Sequence, residues 1–208
     1  MKNKSCCIII GLLFCFTGLY AQFGIKAGVN MANEISQITN GFSTKNLTGY
    51  QIGVVYQAIP KKSGAGCEIG LMLSQKGSTF IDSTNASAVT EGYKELNYLE
   101  IPFNMRYHIT LGIIGIYATA GIYGGYLLSG KTVNEITNNI QEETFQTFTD
   151  HLDYGYNAGL GVELFKKIQL GLGFSQGLKD TRISTSGLPT TNSITNRVFS
   201  VNLVYLFK

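Results

Sequence analysis

Charge is scarce in this 208-residue chain, where 14% of residues are Asp, Glu, Lys or Arg, against roughly 25% in an ordinary soluble domain. Tryptophan is absent and proline occurs three times. Of the four cysteines, Cys6, Cys7 and Cys15 crowd the N-terminus, which leaves Cys67 alone in the remainder. It reads as a small apolar residue on a strand, with no intramolecular disulfide to form. Past residue 21 no apolar run approaches the ~20 residues of a spanning helix, so a membrane protein made from the remainder has to cross with strands. No His or Cys pair stands at ligand spacing and no phosphate-binding loop occurs, so no metal or cofactor is expected.

The first residues, "MKNKSCCIIIGLLFCFTGLYAQ", have a basic start at Lys2 and Lys4, an apolar run and a small residue, Ala21, before Gln22. That is the layout of a secretory signal peptide over residues 1–21, leaving 22–208 as one domain of 208 − 21 = 187 residues. Acylation at Cys15 would need a small residue before it, and Phe14 stands there. Without Lys2 and Lys4, 16 − 2 = 14 basic groups face 13 acidic ones. A near-neutral chain has no electrostatic case for nucleic acid.

What is plentiful is glycine, at 25, and Tyr with Phe, at 12 each. Eight segments show the period of two that marks strands: 23–32, 47–58, 66–80, 97–109, 115–128, 152–165, 168–178 and 197–207. In "NYLEIPFNMRYHI", Leu99, Ile101, Phe103, Met105 and Tyr107 alternate with Glu100, Pro102, Asn104, Arg106 and His108. The fifth segment is the least regular, because Tyr117 and Tyr123 share a parity with Thr119 and Gly121. A helix is excluded, since apolar residues return every second position and glycine is dense in the interiors.

Short connections, "IPKKSGA", "TLGII" and "KK", alternate with long polar ones such as "SGKTVNEITNNIQEETFQTFTDH". This rhythm predicts an all-β fold: an eight-stranded antiparallel up-and-down transmembrane β-barrel with short periplasmic turns and long extracellular loops. The oily parity would then face lipid, with aromatics near the strand ends. The other parity would fill the lumen with a polar network of Lys26, Glu68, Lys76, Glu100, Arg106 and Glu163, among glycines that leave room for long side chains. Arg106 is expected to pair with Glu100 or Glu163, and if the network gates a conduit, Arg106→Ala raises conductance. Pro102, which cannot donate to a ladder, implies a bulge in the fourth strand.

"FGIKAGVNMA", "NYLEIPFNMRYHI", "YGYNAGLGVEL", "GLGFSQGL" and "NRVFSVNLVYLF" follow one another over the whole mature chain. In their order and spacing the chain resembles the PorT-like outer-membrane β-barrel family of Bacteroidetes, small barrels of OmpA/OmpX-like type. The resemblance implies a barrel in the cell outer membrane, linked in some members to protein secretion or export, and it carries over no catalytic residue. Lys208 follows Phe207, so the terminal aromatic is penultimate here. The expected function is therefore a non-enzymatic integral outer-membrane barrel whose partners are outer-membrane lipid and other envelope or secretion proteins. Two other readings are a lipid-modifying enzyme and a soluble lipocalin-like carrier. The enzyme would need a Ser–His–carboxylate set around His108, near the periplasmic end of the fourth strand, or His151, at the foot of the longest loop, where a solvated histidine is the plainer reading, with Glu142, Glu143, Asp150 and Asp153 as hydrated loop acids. The carrier would turn the oily parity inward.

Overall fold

The computed structural model describes residues 19–36, 42–60, 63–82, 90–134, 139–142, 151–179 and 194–207. Nine strands run through them: β1 (Leu19–Ser36), β2 (Phe42–Pro60), β3 (Gly64–Asp82), β4 (Thr90–Leu111), β5 (Ile114–Asn134), the short β6 (Asn139–Glu142), β7 (Leu152–Leu164), β8 (Ile168–Gly177) and β9 (Ile194–Phe207). Apart from β6, which lies along the far end of β5, each pairs antiparallel with its neighbours in the chain. β9 returns to β1 and closes an eight-stranded ring, with Phe23 opposite Phe207 and their rings stacked 6.2 Å apart.

Period two decides what each face meets. On β4 the outward positions from Leu99 to Leu111 are all apolar, and Ile101, Phe103, Met105 and Tyr107 are about half exposed. The inward positions Asn104, Arg106 and His108 are buried. The same division holds on β9, where Phe199, Val201, Leu203, Tyr205 and Phe207 face out while Asn202, Val204 and Leu206 are buried. A lipocalin-like carrier is overturned by this inversion, because the wall's oily face is its outside and the polar residues are within. From Leu99 to Leu111 is 12 residue steps. At ~3.4 Å each and a tilt of ~45° they rise about 29 Å, close to the ~30 Å of a bilayer's hydrocarbon core.

Beyond that height the outside of the wall turns polar. Asn97 Nδ2 donates to Ser129 Oγ at 3.2 Å, and Lys131 pairs with Glu95 at 2.9 Å on the next outward rung. The Glu95 carboxylate raises the Lys131 pKa through its hydrogen bond and its charge. Segments expected as loop are strand here: β3 runs on to Asp82, β4 begins at Thr90 and β5 continues to Asn134. These strands overrun the apolar belt because their cross-strand polar pairs continue the ladder in water. The middle parts of the long connections, residues 37–41, 83–89, 135–138, 143–150 and 180–193, lie outside the described residues, as does the segment 1–18.

Pro102 produces no bulge. The β3–β4 register is the same on both sides of it, with Ile69 opposite Phe103 and Met72 opposite Glu100, and the ladder simply skips the two rungs between. Gly70 makes this possible, since a Cβ there would come within 3.2 Å of the Pro102 ring. The irregularities sit elsewhere. One lies between Asn46 and Gln51 on β2, and the other at Asn97/Tyr98, where β5 carries an extra residue, Leu128.

The β7–β8 turn is short, and it carries a cost. Lys167 N donates to Leu164 O at 3.0 Å, and the two residues between, Phe165 and Lys166, have φ of 54° and 57°. Positive φ at both central positions matches the twist of a hairpin, but side chains other than Gly and Asn are strained there. Replacing the pair by Asn-Gly (Phe165→Asn with Lys166→Gly) should stabilise the barrel by about 1–2 kcal/mol. The check is the temperature at which the compact, unheated form gives way to the unfolded form on a denaturing gel, which should rise.

Candidate functional site

The lumen holds the titratable side chains, and the glycines around it explain why they fit. An added Cβ at Gly121 would strike the Phe103 carbonyl, and one at Gly161 would strike the Tyr117 ring. Bare backbone on one wall thus makes room for long side chains from the other.

Toward the short-turn end lies a network that crosses the lumen. Arg106 Nη1 donates to Glu68 Oε2 at 2.9 Å, and Gln57 Nε2 donates to the same oxygen at 2.8 Å. Gln57 and Gln169 exchange hydrogen bonds at 3.0 and 3.1 Å, joining β2 to β8 across the ring. Gln169 Nε2 donates to Glu163 Oε2 at 2.7 Å, and Glu163 Oε1 lies 3.4 Å from His108 Nε2. The Arg106 guanidinium lies over the Tyr117 ring, 3.6 Å from its centroid. Arg106 therefore pairs with Glu68 and with neither Glu100 nor Glu163. The register explains this: Glu68 stands opposite Asn104, one inward position from Arg106, so the two are diagonal neighbours.

A second cluster sits nearer the long-connection end. Lys76 Nζ is 2.5 Å from Glu100 and 3.0 Å from Asp153, and lies 4.3 Å from the centre of the Tyr123 ring. Asp153 also accepts from Tyr123 OH at 3.3 Å and from Asn196 Nδ2 at 3.4 Å. Because β3 and β7 are not neighbours, the Lys76–Asp153 pair braces the ring across its interior. Asp153 is fully buried rather than a hydrated loop acid. Of the six residues read from the sequence, five fall into these two clusters. Lys26 has no acidic partner among the described residues and lines a chamber with residues of both clusters.

Tyr117, Tyr123 and Asp153 join the sequence-read residues in the network. The signal for the two tyrosines is the parity break in the fifth segment, since an aromatic ring on the inner face is the platform a buried cation needs. The histidines also differ from expectation. His108 is buried between Glu163 and Thr110, whose Oγ1 is 3.4 Å from Nδ1. His151 stacks on Tyr126 at 5.0 Å and its Nδ1 is 2.8 Å from the Leu127 carbonyl oxygen. The hydroxyl–imidazole–carboxylate order at Thr110, His108 and Glu163 has the outline of a nucleophile and base. Both distances exceed ordinary hydrogen-bond lengths, however, and neither Thr110 nor His108 lines the lumenal chamber.

Removing one partner of a buried pair leaves the other uncompensated, at a cost of about 3–5 kcal/mol. Arg106→Ala should therefore lower the unfolding temperature of the barrel and, by removing the largest buried side chain of the lumen, raise single-channel conductance in planar bilayers. An unchanged conductance would mean that the network only fills space.

A family model described as outer membrane protein beta-barrel domain matches residues 10–182. No curated protein matches the sequence. Among solved structures, the outer membrane protein OprG from Pseudomonas aeruginosa is similar at 10% identity, over 91% of this chain and 97% of that one, with a TM-score of 0.53. Ail, the attachment invasion locus protein of Yersinia pestis, has 12% identity over 90% of this chain and 99% of its own, with a TM-score of 0.47. The outer membrane enzyme PagL has 13% identity over 86% and 98%, with a TM-score of 0.42. At such identities only the fold is compared, and for OprG it is the same closed antiparallel barrel. With an apolar outer wall of bilayer height around a polar, braced lumen, the chain belongs to the outer membrane protein beta-barrel domain family.

Proposed function

We propose that this is a non-enzymatic outer-membrane barrel that acts through the rim at its long-connection end, in support of protein secretion or export. The short turns face the periplasm in this reading and the long connections face outward. The observation that carries it is the overrun of the strands. β2 to β5 are 19 to 22 residues long, where ~9–11 residues suffice to cross the bilayer. The surplus stands above the apolar belt as a raised wall with Glu91, Tyr93, Glu95 and Lys131 on its outside. A wall of this kind is a rigid platform for connecting segments, which is where recognition by other envelope or secretion proteins belongs.

A photo-crosslinking side chain in place of Tyr93, on that wall, should give an adduct with another envelope protein in intact cells, and the same substitution at Tyr107, in the lipid belt, should not. Deleting the chain should reduce the set of secreted proteins. Absence of any Tyr93 adduct together with unchanged secretion overturns the reading. Release of labelled acyl chains from lipopolysaccharide or phospholipid by the purified barrel, abolished by His151→Ala, would favour an enzyme instead.

A further inference from the structure

Lys26 stands apart from the other lumenal cations. Along β1 its inward neighbours are Gly24 and Gly28; across from it are Gly53 on β2 and Val204 on β9. None of these offers a counter-charge. Nor is the glycine set interchangeable with larger residues: a Cβ at Gly24 would lie 2.7 Å from the Tyr205 carbonyl oxygen, and one at Gly53 would strike the Leu71 carbonyl. The backbone around Lys26 is thus packed closely enough to keep its surroundings bare.

The lumenal carboxylates are committed elsewhere. Glu68 accepts from Arg106 and Gln57, Glu100 and Asp153 hold Lys76, and Glu163 accepts from Gln169 beside His108. Meanwhile Nε and Nη2 of Arg106, a side chain almost wholly buried, have no hydrogen-bond partner. Lys26 and Arg106 line one chamber of about 80 Å³ with Gln51, Asn104, Asn157 and Asn202. Glu68 and Glu100 border it too, already engaged as described. Such a volume holds more than one water molecule, and its unspent polar capacity combines the Lys26 ammonium and the Arg106 donors with one amide acceptor, Asn104 Oδ1, while Glu100 Oε1 is taken up by its ion pair with Lys76. A half-buried ammonium without a counter-ion is costly away from bulk water, and a bound anion removes that cost.

We propose that this chamber is a binding site for a small monovalent anion, chloride or a carboxylate of formate size, held by Lys26 and the free edge of Arg106. The site takes one small ion because the chamber is small and residues of both cross-lumen clusters border it. Its charge logic also predicts an internal replacement. Asn202 is opposite Gly28 while Lys26 is opposite Val204, so Asn202 is a diagonal neighbour within reach of the lysine. Asn202→Asp supplies a carboxylate of the same shape and displaces the anion.

The test is ³⁵Cl NMR line broadening of sodium chloride by the folded, full mature barrel in zwitterionic micelles. The expected result is a saturable excess line width that sodium formate competes away. Lys26→Gln and Asn202→Asp should each weaken it at least tenfold, while Lys45→Gln, on an exposed part of β2, leaves it unchanged. Heat-dependent gel migration establishes that each variant is folded, and if Lys26→Gln does not fold, Asn202→Asp decides. Broadening that does not saturate in the unsubstituted barrel, or that survives in the folded variants, overturns the site.

Discussion

At membrane depth a backbone N–H or C=O without a partner has no water to turn to, and each one left open costs several kcal/mol. Every other feature of this chain is arranged around that demand. The strands satisfy it laterally, each against its chain neighbour, and the pairing of β1 with β9 removes the two edges that an open sheet would leave. Even Pro102, which withholds a donor, is accommodated by opening two rungs beside Gly70 without shifting the register. A shifted register would have turned each later residue to the opposite face.

Once the ring is closed, the interior becomes an electrostatic problem rather than a hydrophobic one. Among the described residues the buried apolar side chains make only two small clusters, Val55, Met72, Val204 and Leu206 in one and Leu96, Tyr98 and Leu127 in the other. The remaining space is filled by charged and amide groups whose contacts run between strands that are not neighbours, β3 with β7, β2 with β8 and β4 with β7. Buried ion pairs repay their desolvation poorly in general. Here the aromatic platforms under both Arg106 and Lys76 offset part of that penalty. The braces resist flattening of the barrel, which the ladder alone, with its freedom to shear, resists less.

Most of the architecture was legible in the sequence because strand period and lipid together act on every residue. The side chain alternates, and the environment on each side is unmistakable, so eight segments, their order and their facing could be read without coordinates. Partners inside the lumen could not be read in the same way. Which carboxylate meets Arg106 depends on how the strands are staggered against one another, with Glu68 opposite Asn104, and the alternation within a single segment does not carry that stagger. Strand ends were underestimated for a related reason: beyond the belt the outward residues are polar, the alternation of hydropathy stops, and only hydrogen-bonded rungs such as Glu95–Lys131 mark the continuing ladder.

The lumenal cations all come from one half of the ring, Lys26 on β1, Lys76 on β3 and Arg106 on β4, whereas β7 and β8 turn Gly155, Gly159, Gly161, Gly171 and Gly173 inward. This lopsidedness bears on how the chain can be assembled. In a half-finished sheet of β1 to β4, Arg106 and Lys76 already have Glu68 and Glu100 beside them, but Asp153, which also holds Lys76, and the Gln169 that ties Gln57 to Glu163 are still on strands not yet in place. The second half brings those acceptors together with the smooth surface against which the long side chains lie. The ion pairs within β3 and β4 are thus local to one hairpin, whereas the contacts that span the ring exist only once it has closed.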